Sequence, residues 1–148
     1  MPKLDVNSIE QINRTGYPPP YDKEVAGRFA RKIGAALGFE DFGVTETTLQ
    51  PGAWSSQRHW HVGEDELVVM LDGQAVLVEE GSRTAMRPGD IASFKKGDAN
   101  GHHLINESDA PCRFIAIGRP AASDCYYPDI DMHLDGLTQL YVRKSERS

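Results

Sequence analysis

The chain has 148 residues, a length that suits one domain with a sizeable core rather than two. Its formal net charge is −6 and it contains no run of Lys or Arg, which argues against a surface for nucleic acid or for an anionic membrane. The sequence has neither an apolar signal region at its start nor the ~18 apolar residues of a membrane span. We therefore predict a cytoplasmic protein whose partner is a small molecule.

The N-terminal part of the chain predicts an extended arm. Residues 1–21 end in GYPPPY, where three prolines prevent regular structure. In residues 22–38 apolar side chains recur at helical spacing, but three glycines weaken a helix. This second segment is compatible with a short helix or with a strand followed by a turn.

From residue 42 onward, short apolar or alternating segments are separated by Gly, Pro and Asp. They are FGVTETTLQ, SSQRHWH, ELVVMLD, QAVLVEE, IASF, HHLIN and CRFIAIG. Their spacing is typical of a sandwich or barrel, and the DG at residues 72–73 indicates a hairpin turn. We predict an all-β barrel over residues 42–120, with an arm and first elements in residues 1–41 and a C-terminal extension in residues 121–148.

The C-terminal extension predicts little regular structure. YYPDIDMHLDG has the composition of a loop, in which His133 is expected to be exposed, and LTQLYVRK is a candidate last strand. Cys112 and Cys125 are too isolated for a disulfide framework, so two free thiols are predicted.

Two of the predicted strands, ELVVMLD and CRFIAIG, are apolar on both faces, although an open antiparallel sheet normally leaves one face polar. The candidates that could cover the outer face are the arm, the C-terminal extension and a second copy of the chain. Because a large exposed apolar patch is uncommon on a monomer, we predict a homodimer.

The segment QRHWHVGEDE places two histidines one residue apart. In a strand, His59 and His61 lie on one face, while Arg58 and Trp60 point away. If the chain reverses over residues 62–65, the next strand brings Glu66 back beside the two imidazoles. Nitrogen and carboxylate donors then converge in a candidate metal site.

The acids and the glutamine around these donors have different expected roles. Glu64 and Asp65 lie where the chain reverses and are expected to be solvated. By the same alternation Gln57 faces the donors, where its amide would contact a substrate or a ligating group, or would be a polar residue at the rim. A further donor is expected from GHHLIN, in which only one of His102 and His103 can point inward.

The residues described so far resemble the two motifs of the cupin superfamily. The first is Gly52…His59-x-His61-x4-Glu66-x6-Gly73, and the second is Gly89…Gly97-x4-His102-x3-Asn106. The resemblance implies a double-stranded β-helix, or jelly-roll barrel, with one metal ion held by His59, His61, Glu66 and His102. The chain is also similar to small stand-alone bacterial cupins.

Three imidazoles and one carboxylate suit divalent Fe, Mn, Zn, Ni or Co, and an octahedral ion would keep about two positions open. We expect a metal-dependent dioxygenase, isomerase or lyase acting on a small organic acid or sugar-like molecule. The alternative is a cupin that binds a ligand or a metal without catalysis.

Several side chains are candidates for contacts with the substrate. An isomerase of phosphorylated sugars would need Lys or Arg at the mouth of the barrel, where Lys95 and Lys96 are candidates, although a solvated pair in a loop is the commoner role of such residues. Tyr126 is predicted to bind substrate, and with Tyr127 it could close the pocket, although aromatic packing is the commoner role of such residues.

Overall fold

The computed structural model describes residues 2–120 and 122–146, and the regular secondary structure in this part of the chain is almost entirely β. The one α-helix there is a single turn, α1 (Ile33–Ala36), and short 3-10 turns lie at Val6–Ser8 and Lys144–Glu146. None of these helices is long and apolar enough to cross a membrane. The strands are β1 (Arg28–Lys32), β2 (Gly43–Leu49), β3 (Trp60–His61), β4 (Glu66–Asp72), β5 (Ala75–Glu79), β6 (Ser82–Met86), β7 (Ile91–Phe94), β8 (His103–Ile105), β9 (Cys112–Gly118), β10 (Cys125–Tyr126), β11 (His133–Leu134) and β12 (Tyr141–Val142).

The strands form two layers with the core between them. One layer is a five-stranded antiparallel sheet in the order β1-β2-β9-β4-β7. The other consists of β6-β5-β8 and β12-β11-β10-β3, which a bridge between His59 and His102 joins. Met70 and Phe114 of the first layer belong to the same buried cluster as Leu77 of the second. This architecture confirms the predicted all-β jelly-roll barrel.

The turn between β4 and β5 depends on Gly73. Its φ is +72°, a conformation that side chains rarely adopt, and an added Cβ would lie 2.6 Å from the carbonyl oxygen of Pro111. The DG signal at residues 72–73 therefore marks a turn that only glycine fits. Because the turn has no side chain at this position, the end of β4 can lie against the start of β9.

The N-terminal arm lies along the free edge of β1 on its own barrel. Ile12 and Ala30 exchange backbone hydrogen bonds of 2.7 and 2.8 Å, and the Arg31 Nε donates to the carbonyl oxygen of Ile9 at 3.1 Å. Farther along, the ring of Tyr17 packs against Tyr127 and Tyr141 of the C-terminal extension. The arm thus adds one further strand-like segment to the five-stranded sheet.

The structure decides one open alternative and adds one strand that the sequence did not predict. Residues 22–38 contain both alternatives in succession, since β1 ends where α1 begins. The strand β6 was not predicted, because four of its five side chains are exposed and its sequence SRTAM shows no apolar alternation.

The C-terminal extension is more ordered than the sequence indicates. It contributes β10, β11 and β12 to the second layer, and β12 falls within the predicted last strand. His133 is buried, with its Nε2 3.1 Å from the Asp124 carboxylate, so the expected exposure of His133 is wrong. Glu64 is also buried rather than solvated, because it accepts hydrogen bonds from the backbone of Ala122 and Ser123.

Candidate metal centre

Four side chains predicted as ligands come together where the two layers meet. His59 and His102 belong to neighbouring backbone segments that exchange hydrogen bonds of 3.1 and 2.8 Å. His61 ends β3, and Glu66 begins β4 after the intervening turn, as the sequence predicts. Their positions follow from the backbone pairing of two strands and one tight reversal.

The donor atoms of these side chains lie close to one another. The Nε2 atoms of His59 and His61 are 3.2 Å apart, and the Nε2 of His102 is 2.7 Å from one Glu66 carboxylate oxygen. The other carboxylate oxygen lies 3.9 Å from the Nε2 of His61. In addition, His59, Glu66 and His102 offer three donor atoms that are all within 4.8 Å of one another.

Neighbouring groups orient the imidazoles. The Nδ1 of His59 lies 2.8 Å from the carbonyl oxygen of Gln57, so this nitrogen carries the proton and the Nε2 presents a lone pair. The ring of His102 stacks on Phe94, with the centroids 3.5 Å apart. Within the described residues, the buried Nδ1 atoms of His61 and His102 have no hydrogen-bond partner.

The protonation states suit a divalent cation. Burial and the neighbouring His102 lower the pKa of His59 to about 3, and burial also lowers the pKa of His61. Burial alone would raise the pKa of the Glu66 carboxyl, but the hydrogen bond from His102 and the nearby His59 outweigh it and lower the pKa to about 2. At neutral pH His59 and His61 are therefore neutral beside an ionised carboxylate, and imidazole and carboxylate donors together fit a divalent transition metal.

A cavity of about 590 Å³ opens beside this cluster. His59, Glu66 and His102 line it, so a ligand in the cavity would meet these donors directly. Its other walls carry the hydroxyl groups of Thr45, Thr47, Ser55, Ser56, Tyr17 and Tyr141. The volume lies in the usual range for small-molecule sites, about 300–1,000 Å³.

The two adjacent histidines of GHHLIN point in opposite directions. His102 joins the cluster, whereas the Nδ1 of His103 lies 2.8 Å from the carbonyl oxygen of Ser56, and its ring packs edge-on against Trp54. Of the two candidates for the further donor, the structure therefore brings only His102 to Glu66.

The two residues predicted to bind substrate lie elsewhere. The Gln57 amide donates to the carbonyl oxygen of Tyr21 and to Glu24, so its side chain faces the arm and not the donors. Tyr126 stacks on the outward-facing ring of Trp60, with the centroids 4.7 Å apart. Neither residue lines the large cavity in the part of the chain that the structure describes.

Tyr127 is the tyrosine of this pair that lies near the cluster. Its ring centroid is 5.7 Å from that of His59, and its side chain is buried against Tyr17. Tyr126 is the last residue of β10 and is exposed, whereas Tyr127, which follows the strand, is buried.

Two groups near the donors were not identified from the sequence, the cations of the cavity wall and the thiol of Cys125. Arg14, Arg28 and Lys32 line the large cavity, whereas Lys95 and Lys96 do not. The thiol of Cys125 lies within 4.8 Å of donor atoms of His59 and His61, and burial raises the pKa of this thiol to about 12. The alternation in RFARK could have placed Arg28 and Lys32 on one face, but nothing local indicates which face borders the cavity.

Arg58 points away from the donors as predicted, yet it is buried rather than exposed. Its guanidinium makes a bidentate ion pair with Asp129 at 2.8 Å, binds Glu80 at 2.8 Å and donates to the carbonyl oxygen of Gly101 at 3.2 Å. Arg58 therefore ties the segment before β3 to the C-terminal extension and to the residue that precedes His102.

Comparison with known proteins agrees with the fold and the motifs. A family model described as the cupin domain matches residues 45–118, and the chain belongs to this family. No curated protein sequence matches the chain significantly.

Solved structures show the same architecture over most of the chain. A protein of Silicibacter pomeroyi described as a sugar phosphate isomerase from a cupin superfamily is 39% identical, with a TM-score of 0.91 over 98% of this chain and 94% of that one. A protein of Acidithiobacillus ferrooxidans is 24% identical, with a TM-score of 0.74 over 83% and 81% of the two chains. The polyketide cyclase RemF of Streptomyces resistomycificus is 18% identical, with a TM-score of 0.63 over 80% and 78%.

Proposed function

We propose that this cupin binds one divalent transition metal ion through His59, His61, Glu66 and His102 and uses it in an enzymatic reaction on a small organic acid or sugar-like molecule. The observation that carries the proposal is the convergence of neutral imidazoles and an ionised carboxylate beside a cavity of about 590 Å³. Buried donors of this kind are costly to leave unsatisfied, and a cation would satisfy them together.

The metal would supply Lewis acidity and open coordination positions at this point of the cavity. The protein would supply orientation: the Gln57 carbonyl fixes the tautomer of His59, and Phe94 fixes the ring of His102. The hydroxyl groups along the walls would donate to and accept from a hydroxyl-rich substrate.

The cavity offers few groups that could take a proton from carbon. Among the described residues that line it, the imidazoles and the carboxylate all belong to the donor cluster, and burial raises the pKa of the Tyr17 phenol. A phenol with a raised pKa serves as a hydrogen-bond donor rather than as a base. An isomerase would therefore have to take its base from the donor cluster itself or from the amine of Lys32.

The relative from Silicibacter pomeroyi makes sugar phosphate isomerisation one activity to assay for this chain. The experiment is elemental analysis of the purified protein, followed by sugar phosphate isomerase assays and by oxygen-uptake assays over a panel of small acids and phenols. Bound iron with substrate-dependent oxygen uptake would support a dioxygenase, and turnover of a sugar phosphate would support an isomerase. A fully metal-loaded protein that turns over none of these compounds would favour the non-catalytic binding cupin.

We also propose that the functional unit is a homodimer formed through the outer face of the five-stranded sheet. Leu67 and Val69 of β4 and Ile115 and Ile117 of β9 are only half-buried there, and Ile91 on the neighbouring β7 is 62% exposed. The arm does not take this place, since it pairs with the edge of β1. A second copy would remove this apolar surface from water.

A further inference from the structure

We propose that Arg14, Arg28 and Lys32 form an anion-binding subsite in the large cavity, and that the ligand is a hydroxylated organic anion such as a sugar phosphate or a sugar acid. This inference rests on the proposed function, because the three cations and the donor cluster line the same cavity. It goes beyond that function by naming the charge of the ligand and the residues that select it.

The arm carries Arg14 to the cavity that Arg28 of β1 also lines. Ile12 bridges Ala30 in antiparallel orientation, so from there the arm runs toward the end of β1 at which Arg28 lies. The amide of Asn13 donates to the carbonyl oxygen of Arg28 at 2.8 Å and holds the arm in this register. Cations that line the same cavity repel each other, and an anion bound between them would offset this repulsion.

No acid of the described chain supplies that anion. Arg14, Arg28 and Lys32 form none of the ion pairs found within residues 2–120 and 122–146, and the one hydrogen bond of the Arg28 guanidinium goes to the carbonyl oxygen of Ser55. By contrast Arg31, which points to the opposite side of β1, is paired with Glu46 at 3.2 Å. On β1 the two cations without an ion pair, Arg28 and Lys32, are thus those that line the cavity.

The charge of the cavity differs from that of the whole protein. The chain carries a net charge of −6, yet among the described residues that line the cavity there are three cationic side chains and one carboxylate, that of Glu66. A divalent metal ion at the donor cluster would make the cavity still more positive. Such a local field attracts and orients an anion, and guanidinium groups suit phosphate and carboxylate oxygens.

The hydroxyl groups of the cavity define the rest of the ligand. Thr45, Thr47, Ser55 and Ser56 line the wall together with the cations and the donors. They match the alternating donors and acceptors of a polyhydroxylated molecule, which would be held by its anionic group at the cations.

The experiment is isothermal titration calorimetry of the full-length chain with glucose 6-phosphate, gluconate and glucose, both as purified and after dialysis against a chelator. Chelator treatment removes any contribution of direct binding of the anion to the metal. We expect at least one of the two anions to bind about tenfold or more tightly than glucose in both preparations, because its charge-assisted hydrogen bonds are absent in glucose. Comparison of the two anions shows whether a phosphate or a carboxylate is preferred.

The R14Q/K32Q double variant should bind that anion about tenfold or more weakly and leave glucose unchanged. Both side chains are exposed, so the variant should fold with an unaltered melting temperature. The control is K96Q, which removes one exposed positive charge outside the cavity and should match the wild type.

The subsite is overturned if neither anion binds more tightly than glucose, if R14Q/K32Q keeps the wild-type affinity, or if K96Q weakens binding equally. Metal content separates this failure from failure of the proposed function. Loss of the anion preference in a protein that holds one metal ion per chain would refute the subsite alone. A chain that never takes up metal but binds the anion more weakly in R14Q/K32Q than in the wild type would support the subsite and refute the metal-dependent function.

Discussion

At the scale of the residue, the donor cluster combines burial with a fixed tautomer. The Nδ1 proton of His59 is held by the carbonyl oxygen of Gln57, so the lone pair of its Nε2 is directed at His61. Burial keeps both imidazoles neutral, while the hydrogen bond from His102 keeps Glu66 ionised. The cluster therefore presents an imidazole lone pair and an ionised carboxylate to a cation.

This arrangement predicts how the stability of the chelator-treated protein depends on pH. The pKa of His59 is about 3 in the folded chain, against 6.5 for an ordinary histidine. Below about pH 6.5 the unfolded chain therefore binds a proton that the folded chain does not, and the free energy of unfolding falls as the pH is lowered toward 3. Urea unfolding at pH 7 and pH 5 measures this loss.

His59→Asn is the matched variant, because its amide can still donate to the Gln57 carbonyl but does not titrate. We expect a smaller loss of stability between pH 7 and pH 5 in this variant than in the wild type. Equal losses in the two proteins would show that His59 does not carry the pH dependence.

At the scale of the residue, the alternation of side chains along a strand predicts some of the residues that face the donor cluster and fails for others. His59, His61 and Glu66 follow from a strand and a reversal that lie within eight residues of sequence. Gln57 does not, because residues 55–58 form bends and turns rather than a strand, and its side chain turns toward the arm. The choice between His102 and His103 depended on a long-range bridge to His59, which local sequence does not encode.

At the scale of the element, Arg58 connects parts of the chain that are distant in sequence. Its guanidinium joins the segment before β3 to Asp129, Glu80 and Gly101. Because its side chain is only 7% exposed, substitution leaves a buried gap and removes several charge-assisted hydrogen bonds.

We expect Arg58→Met to lower the free energy of unfolding by about 2–3 kcal/mol, the range for loss of hydrogen bonds to a buried charged group. Urea unfolding of the chelator-treated protein measures the change. The control is Arg83→Met, which breaks the exposed pair with Glu107 and should cost about 0.5 kcal/mol or less. A similar small cost for both variants would show that Arg58 does not brace the barrel.

At the scale of the whole molecule, the apolar outer face of the five-stranded sheet predicts a homodimer. Light scattering at micromolar concentration should give a mass near twice that of the 16.4 kDa chain. Ile91→Lys should yield the monomer, because Ile91 lies 62% exposed on this face and the charge would be buried in the dimer.

The control for the dimer is Leu137→Lys, which changes a 98% exposed residue of the C-terminal extension and should leave the mass of the dimer unchanged. Deletion of residues 1–21 should also leave it dimeric, since the arm lies along β1 of its own barrel. A wild-type mass near that of one chain would remove the dimer.

Much of the whole molecule could be predicted, because the barrel strands are short apolar segments separated by turn residues. The exceptions are elements whose structure depends on distant contacts. β6 has an exposed sequence without alternation, and β10 and β11 are two-residue strands defined only by their pairing. The cationic wall of the cavity depends on the pairing of the arm with β1, for which the local sequence has no signal.

The most direct test of the central claim is the metal content of the wild type, His61→Ala and His103→Gln after loading with a divalent transition metal and removal of the excess. We predict one ion per chain in the wild type and in His103→Gln, whose altered side chain faces Trp54 rather than the donors. His61→Ala should lose most of the metal, because an incomplete set of ligands binds far more weakly. Full occupancy in His61→Ala, or loss of the metal in a folded His103→Gln protein, would contradict the proposed metal centre.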